Sequence, residues 1–381
     1  MNVKKKLKFS IALAVLCSVM IIACNQSAKS ENAFTESPDF EIKLGKVSRE
    51  SVFANDSMSI WGGSLVKGGD GLYHMYYSFW PKKIGWEWVT NSVIAHAVSD
   101  SPFGPFEHKD VALPDRGSEY WDGSCTHNPT IHKFDNKYYL YYMGNTGDEN
   151  IVSNPGKAKI NWIHRNNQRI GVAVADNPNG PWKRFDEPVL DITKGDTTAH
   201  DALMTSNPAI CQMKDGRFLM IYKAVGKKYK MPFGGPVVHM VAIADSPLGP
   251  FKKYSDPIFT IDGEMFPAED PSIWYQDGKY RAVVKSMNLA TRNRDFSLSQ
   301  YESNDGINWT EAKYFVVSDR SVTWEDGTKT QFAHLERPQV YQEDGVPTAI
   351  LFAADSIDQN NVRHSFNIQI PVEIIKHNSI Q

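Results

Sequence analysis

Carboxylates recur in this 381-residue chain at places where acid–base chemistry would need them. Asp122 precedes His127-Asn128-Pro129, and Asp201 precedes Ser206-Asn207-Pro208 at a similar distance. Glu269 and Asp270 are adjacent before Pro271, and Glu336 lies in His334-Leu335-Glu336-Arg337-Pro338. Two carboxyl groups facing each other across an acetal can cleave it. One is kept protonated and donates to the leaving oxygen; the other is ionised and acts as base or nucleophile. On a strand Glu269 and Asp270 point to opposite faces, so only one of them fronts a site squarely. His334 and Glu336 share a face by the period-two rule, while Arg337 points the other way. That reads as a base with a pKa-setting neighbour, or as an ion pair with a Lys or Arg of an adjoining element. Asp122 and Asp201 read as a repeated site element, and an Asp holding its own loop through an Asx-turn has the same signature.

Uncharged groups beside these carboxylates suit sugar hydroxyls: His127, Asn128 and Asn207 at strand starts, which buried and satisfied polar residues would equally match. Trp61 and Trp121, with Trp80, Trp86 and Trp88, offer flat faces for stacking on a sugar ring or for core packing. Arg292, Arg294, Lys227, Lys228 and Lys230 fall in loops and read as solvated charge or as readers of a sulfate or uronate. No CxxC or HExxH pattern offers a metal site, so no cofactor is required by the sequence. Cys125 and Cys211 read as buried strand thiols or as a disulfide pair.

These residues must be positioned by strands. A hairpin motif with an Asp-Gly-like turn recurs at Asp70-Gly71, Asp135-Asn136, Asp215-Gly216, Asp277-Gly278 and Asp344-Gly345. The flanking aromatic and β-branched residues fit strands, and the turn residues fit two-residue hairpins. A second motif alternates with it: Ser101-Pro102-Phe103-Gly104-Pro105-Phe106, Asn177-Pro178-Asn179-Gly180-Pro181-Trp182 and Ser246-Pro247-Leu248-Gly249-Pro250-Phe251, with a degenerate fourth at Asp305-Gly306-Ile307-Asn308-Trp309. Five repeats at a spacing of roughly 60–80 residues predict an all-β chain, a five-bladed β-propeller of four-stranded blades around a central funnel.

The repeats resemble the five-bladed propeller glycosidases, in particular glycoside hydrolase family 43 and its relatives, over about Ser51 to Glu373. In that family the inner strand of each blade opens toward the funnel, often with an acidic residue before proline. Here those openings are Gly62-Gly63-Ser64, His127-Asn128-Pro129, Ser206-Asn207-Pro208, Glu269-Asp270-Pro271 and Glu336-Arg337-Pro338. The resemblance implies a general acid at Glu269. It puts the family's base position on Gly62 or Gly63 and its pKa-modulator position on Asn207, so the chain is a divergent member. Glu-Asp-Pro also resembles the mannoside phosphorylases of family 130. The expected activity is therefore an inverting, exo-acting glycoside hydrolase of plant or algal oligosaccharides. The alternatives are a glycoside phosphorylase of similar fold and a carbohydrate-binding lipoprotein without catalysis. The resemblance also leaves a structural calcium ion in the funnel open.

The N-terminus reads as a targeting segment. Lys4, Lys5, Lys6 and Lys8 precede an apolar run from Phe9 to Ile22, and Ile21-Ile22-Ala23-Cys24 resembles a bacterial lipobox with Cys24 as the lipidated residue. The expected organisation is a signal peptide over 1–23, a lipidated cysteine and linker over 24–50 and a propeller over 51–381. A lipid anchor would place the protein in the cell envelope, on the periplasmic or outer face of the outer membrane. A net charge of −3 without any basic block makes nucleic acid a poor partner. An oligosaccharide partner and a monomeric or weakly oligomeric state fit the rest.

Overall fold

Five strand-turn-strand units, each too small to bury its own faces, form the five blades of a β-propeller. The computed structural model describes residues 37–148, 160–287, 297–360 and 362–377. Cys24, the targeting segment, Arg292 and Arg294 lie outside the described residues. The blades open on inner strands Met58–Lys67, Cys125–Phe134, Met204–Gln212, Ala268–Gln276 and Leu335–Glu343, each paired antiparallel with the next strand in sequence. The first, third and fourth blades have four strands. The second has three, with Lys183 bridging to its outer edge at Val174.

The fifth blade is closed from the other end of the chain. Asp39–Leu44 pairs along its whole length with Arg363–His377, in register from Asp39 opposite His377 to Leu44 opposite Val372. This corrects the expectation of a linker running to residue 50. The alternation is there in Phe40 and Ile42, both buried, but the strand is short and its partner lies more than 300 residues away in sequence.

The core is five layers, each between neighbouring blades. Tyr76 and Ile94 of the first blade pack with Leu140 and Tyr142 of the second. Tyr141 and Ile170 of the second pack with Met220 and Val238 of the third. Leu219 and Val241 meet Ala282 and Tyr301, Trp274 and Val283 meet Phe352 and Ile42, and Leu351 meets Met75 and Tyr77 to close the ring. Burying one such side chain contributes about 1.5–3 kcal/mol, so each blade is stabilised by both neighbours. The hairpin turns follow their chemistry: Asp277-Gly278 and Asp344-Gly345 have positive φ at both positions, as a type I′ turn requires.

One local device repeats in all five inner strands. The register shifts where the expected site residues lie: between Trp61 and Ser64, His127 and Thr130, Ser206 and Ala209, Glu269 and Ser272, and Glu336 and Gln339. The residue that heads each bulge is left-handed: Gly62 (φ 61°), Asn128 (52°), Asn207 (48°), Asp270 (53°) and Arg337 (56°). Asn and Asp tolerate this conformation, whereas Arg adopts it only where the surroundings hold it. The bulge breaks the strict alternation on which the strand-face reading rests and brings a side chain from four of the five blades into one buried ring.

Candidate functional site

The ring residues form a directed chain. The Asn128 amide donates to Oδ1 of Asn207 (2.8 Å), and the Asn207 amide donates to Oδ1 of Asp270 (2.5 Å). Nη1 of Arg337 reaches the same Asp270 oxygen at 3.5 Å. The fifth place belongs to Gly62. A Cβ there would lie 2.9 Å from Cγ of Arg337, so the arginine occupies space that a first-blade side chain would need. The place where the resemblance expects a first-blade carboxylate is thus filled by Arg337. Asp270 is pushed up to about 6 by burial and by Glu269 beside it, against the pull of Arg337. It is a buried centre of the ring, 5% exposed, and is not placed to meet substrate.

The residues preceding the left-handed positions carry a charged cluster. Lys223, from the middle strand of the third blade, donates to Oε1 of Glu269 at 2.9 Å. Lys285, from the middle strand of the fourth, reaches Oε2 of Glu269 at 3.1 Å and Oε1 of Glu336 at 2.6 Å. Glu269 and Glu336 from neighbouring blades thus share one ammonium group. Burial alone would raise the Glu269 carboxyl, but Lys223 and Lys285 outweigh it and hold it well below the usual carboxylate range. Burial would lower Lys285, and the two glutamates hold it above its ordinary value instead. A carboxylate kept ionised in this way has no proton to donate. The acid role implied for Glu269 therefore does not fit the geometry, while the role of a fixed negative charge does.

His334 precedes the same inner strand as Glu336. Its Nδ1 lies 2.9 Å from both oxygens of Asp355, a fully buried residue of the next strand that also pairs with Arg363 at 3.2 Å. A carboxylate on Nδ1 fixes the tautomer and leaves Nε2 outward. Arg363 in turn lies over the ring of Trp86 at 4.4 Å, and Trp86 meets Trp61 edge-to-face at 5.0 Å. Trp61 is buried against Trp80 and Ile84, so within this wall Trp86 is the more accessible face. His127 is stacked on Trp88 at 4.2 Å and bonded to the Ser92 hydroxyl at 2.7 Å. Burial, then Arg337 and Lys223, hold His127 well below its ordinary value, so it is neutral.

Three expected site residues are structural instead. Asp122 is wholly buried and saturated: Nε of Arg116 (2.7 Å), Nη2 of Arg184 (2.7 Å) and the Tyr142 hydroxyl (2.6 Å) all donate to it. Asp201 pairs with Lys253 at 2.5 Å and accepts from the Tyr222 hydroxyl at 3.4 Å. The repeat seen in sequence is real, but it is a staple. In each case an Asp before the inner strand ties a middle-strand Tyr to a cation from the blade's outer side. Trp121 stacks on Tyr142 within the second blade, with its Nε1 donating to the carbonyl of Phe185.

Lys223, Lys285 and Asp355 are not legible in sequence as site residues, because each follows an apolar run within its strand with no motif around it. The charge in such a strand is the available signal: Lys223 within Leu219-Met220-Ile221-Tyr222-Lys223-Ala224-Val225, and Lys285 after Ala282-Val283-Val284. Lys227, Lys228 and Lys230 are exposed. Cys125 and Cys211 are separate, buried free thiols. A calcium ion at the axis would meet the guanidinium of Arg337, a donor-only cation, so these residues do not fit it. Among the described residues no group of three or more His, Cys, Asp or Glu is placed to hold a metal.

No family model matches the chain, and no curated protein matches it either. Solved structures do. A family 117 glycoside hydrolase of the marine bacterium Zobellia galactanivorans is 18% identical, with a TM-score of 0.56, over 88% of this chain and 90% of that one. BT0996, in an RGII complex, is 15% identical with a TM-score of 0.62, over 91% of this chain and 95% of its own. A family 43 β-xylosidase/α-arabinofuranosidase from a compost microbial metagenome, in complex with xylotriose, is 17% identical with a TM-score of 0.54, covering 89% and 96%. The chain shares the propeller fold of these structures at low sequence identity.

Proposed function

We propose that the protein is a glycoside hydrolase, acting on O-glycosyl bonds of oligosaccharides at the funnel end of the inner strands. The observation that carries this reading is the pairing of Glu269 and Glu336 across Lys285, with the His334–Asp355 dyad beside them, on a fold shared with glycoside hydrolases. In the proposed reaction His334 acts as the general acid, its Nδ1–H held by Asp355. Its Nε2–H protonates the leaving oxygen as the glycosidic C–O bond breaks. Oε2 of Glu336 takes a proton from the water that forms the new C–O bond, and solvent later returns that proton to His334. Glu269, fixed as an anion, stabilises the positive charge that develops on the sugar.

Exo action is supported by the buried ring, which closes the axis beneath the cluster and favours entry of a chain end from one side. Inversion is supported by the resemblance alone. Lys223 and Lys285 are cations that a phosphate could also use, which keeps glycoside phosphorolysis as the second reading. A panel of plant and algal oligosaccharides, incubated with and without phosphate and followed by proton NMR, tests all of this. A released monosaccharide whose first anomer is inverted, independent of phosphate, is the expected result. Phosphate-dependent release would transfer the case to phosphorolysis, and binding without cleavage would remove the enzyme reading. We further propose anchoring in the cell envelope through Cys24, on the strength of the lipobox; palmitate labelling that persists in Cys24→Ser would refute it.

A further inference from the structure

The loop between the second and third strands of a blade leaves from the end where the inner strand begins, as the pairing of Asn145 with Cys125 and of Val225 with Met204 shows. Glu269 and Glu336 lie near the start of their own inner strands, at that same end. In the second blade this loop holds the helical turn Trp162–Asn166. In the third it runs Lys227-Lys228-Tyr229-Lys230-Met231-Pro232-Phe233. The two loops are tied together. Nη1 of Arg165 donates to the carbonyl of Phe233 (2.7 Å), the Asn166 amide donates to that of Pro232 (3.0 Å), and Trp162 meets Phe233 edge-to-face at 6.2 Å. They make a ledge at the funnel end of the second and third blades.

The ledge is open and apolar. Of the ten large hydrophobic side chains exposed among the described residues, Ile163, Tyr229, Met231 and Met265 belong to it, and Tyr229 and Met265 both lie over Gly235. Clustered exposure of this kind marks a binding surface. The ledge is also cationic. Lys227, Lys228 and Lys230 are exposed, and among the described residues no ion pair reaches any of them. Arg165 is partly buried, its guanidinium 5.0 Å from the Phe233 ring and 5.7 Å from that of Trp162. Its Nη1 serves Phe233 and Oδ1 of Asn166 (2.9 Å), while among the described residues nothing bonds Nε or Nη2. Burial pulls Arg165 down to about 10 against the pull of Glu269, so it stays charged at neutral pH, within the field of the Glu269 cluster. An arginine held by one nitrogen and two rings, with its Nε–Nη2 edge free, is preorganised to take an oxyanion through two parallel hydrogen bonds. The company sets these cations apart from ordinary solvated charge: aromatic faces, a locked guanidinium and continuity with the Glu269 cluster. A sugar ring offers an apolar face to Tyr229, and an acidic sugar also offers the anion that the four cations lack.

We propose that this ledge holds the stretch of substrate that leaves the funnel, and that this stretch is an acidic sugar chain. A carboxylate or sulfate oxyanion on one sugar takes the Nε–Nη2 edge of Arg165. The ring beyond it stacks on Tyr229, and the lysines attract the anions that follow. The inference rests on the glycosidase reading and supplies its substrate class.

The test is binding, measured apart from turnover by calorimetry on the full chain. The probes are tetragalacturonate and its methyl-esterified neutral form, a sulfated galactose tetrasaccharide and its desulfated form, inorganic phosphate, and phosphatidylcholine vesicles with and without phosphatidylglycerol. One acidic tetrasaccharide is expected to bind at least about tenfold more tightly than its neutral form, with an affinity that falls as salt rises. Which of the two binds names the oxyanion as carboxylate or sulfate. Arg165→Lys keeps the charge and loses the fork, and should weaken the acidic chain about tenfold. Replacing Lys227, Lys228 and Lys230 together by Ser, all at exposed positions, should weaken it similarly and leave the neutral form unchanged. Equal binding of acidic and neutral chains, or an affinity that neither variant alters, would overturn the proposal. So would binding of phosphate alone, or of anionic vesicles without either oligosaccharide, which would give the ledge to a free anion or to a membrane surface. Cleavage of neutral oligosaccharides without acidic preference would sink this inference and spare the glycosidase reading. An acidic chain bound through the ledge, with no substrate cleaved, would do the reverse.

Discussion

Among the described residues Lys285 is the one cation that Glu269 and Glu336 share, and its side chain is only 6% exposed. Replacing it with Met keeps most of the apolar stem and removes the charge. Glu269 retains Lys223 at 2.9 Å, but Glu336 loses its ion-pair partner. Breaking a buried pair by removing one member costs about 3–5 kcal/mol, far above the roughly 0–1 kcal/mol of an exposed pair. With an m-value near 3 kcal/mol/M, the urea midpoint of Lys285→Met should fall by about 1 M or more at pH 7. Adding Glu336→Gln removes the stranded charge and should recover part of that loss, giving a coupling energy of at least about 1 kcal/mol in the double-mutant cycle. The pH dependence has a fixed sign. Because the Glu269 carboxyl is depressed in the native state, its stabilisation is complete above the ordinary glutamate range and is lost as pH falls through its lower native value. The deficit of Lys285→Met should therefore be largest near neutrality and shrink as the solution is acidified below that range. A midpoint shift of only a few tenths molar, an uncoupled cycle, or a deficit that grows on acidification would refute the shared-cation reasoning.

Two other perturbations separate framework from site. Asp122→Asn removes the buried carboxylate that Arg116 and Arg184 share and should destabilise by about 3–5 kcal/mol while leaving kcat of the folded protein within about twofold; a large kcat loss at unchanged stability would return Asp122 to the chemistry. A chain beginning at Ser51 loses the strand Asp39–Leu44 with its buried Phe40 and Ile42, and should be less stable than the chain from residue 37 by more than about 3 kcal/mol in urea titration. Equal midpoints would mean that this strand contributes nothing to closure.

The blades are legible in the sequence because each carries its own turn signals. Asp277-Gly278 or Gly249-Pro250 can be read without knowing what lies across the axis. The strand openings are legible too, as Asn-Pro, Asp-Pro and Arg-Pro, but their conformation is not. Alternation puts Glu269 and Asp270 on opposite faces, whereas a left-handed bulge residue turns Asp270 onto the axis and leaves Glu269 among lysines. Asp122 and Asp201 show the opposite failure. Their common spacing is visible, but besides Arg116, which is close to Asp122, they are neutralised by Arg184 and Lys253, which lie 62 and 52 residues away in sequence. Which carboxylate is paired and which is open depends on such distant partners, and no local pattern encodes it. The fifth-blade closure by Asp39–Leu44 escapes local reading for the same reason.

The central claim is that the chemistry belongs to the cluster of Glu269, Glu336 and His334. Once a cleaved oligosaccharide is in hand, kcat/KM measured side by side for Glu336→Gln, His334→Asn and Asp201→Asn tests it most directly. Losses of about 10²–10⁴-fold in the first two, at unchanged thermal midpoints, with a loss of no more than a few-fold in the folded fraction of the third, are the predicted result. Full activity in Glu336→Gln and His334→Asn, with activity lost in Asp201→Asn, would contradict it and move the active site to the third blade's loop.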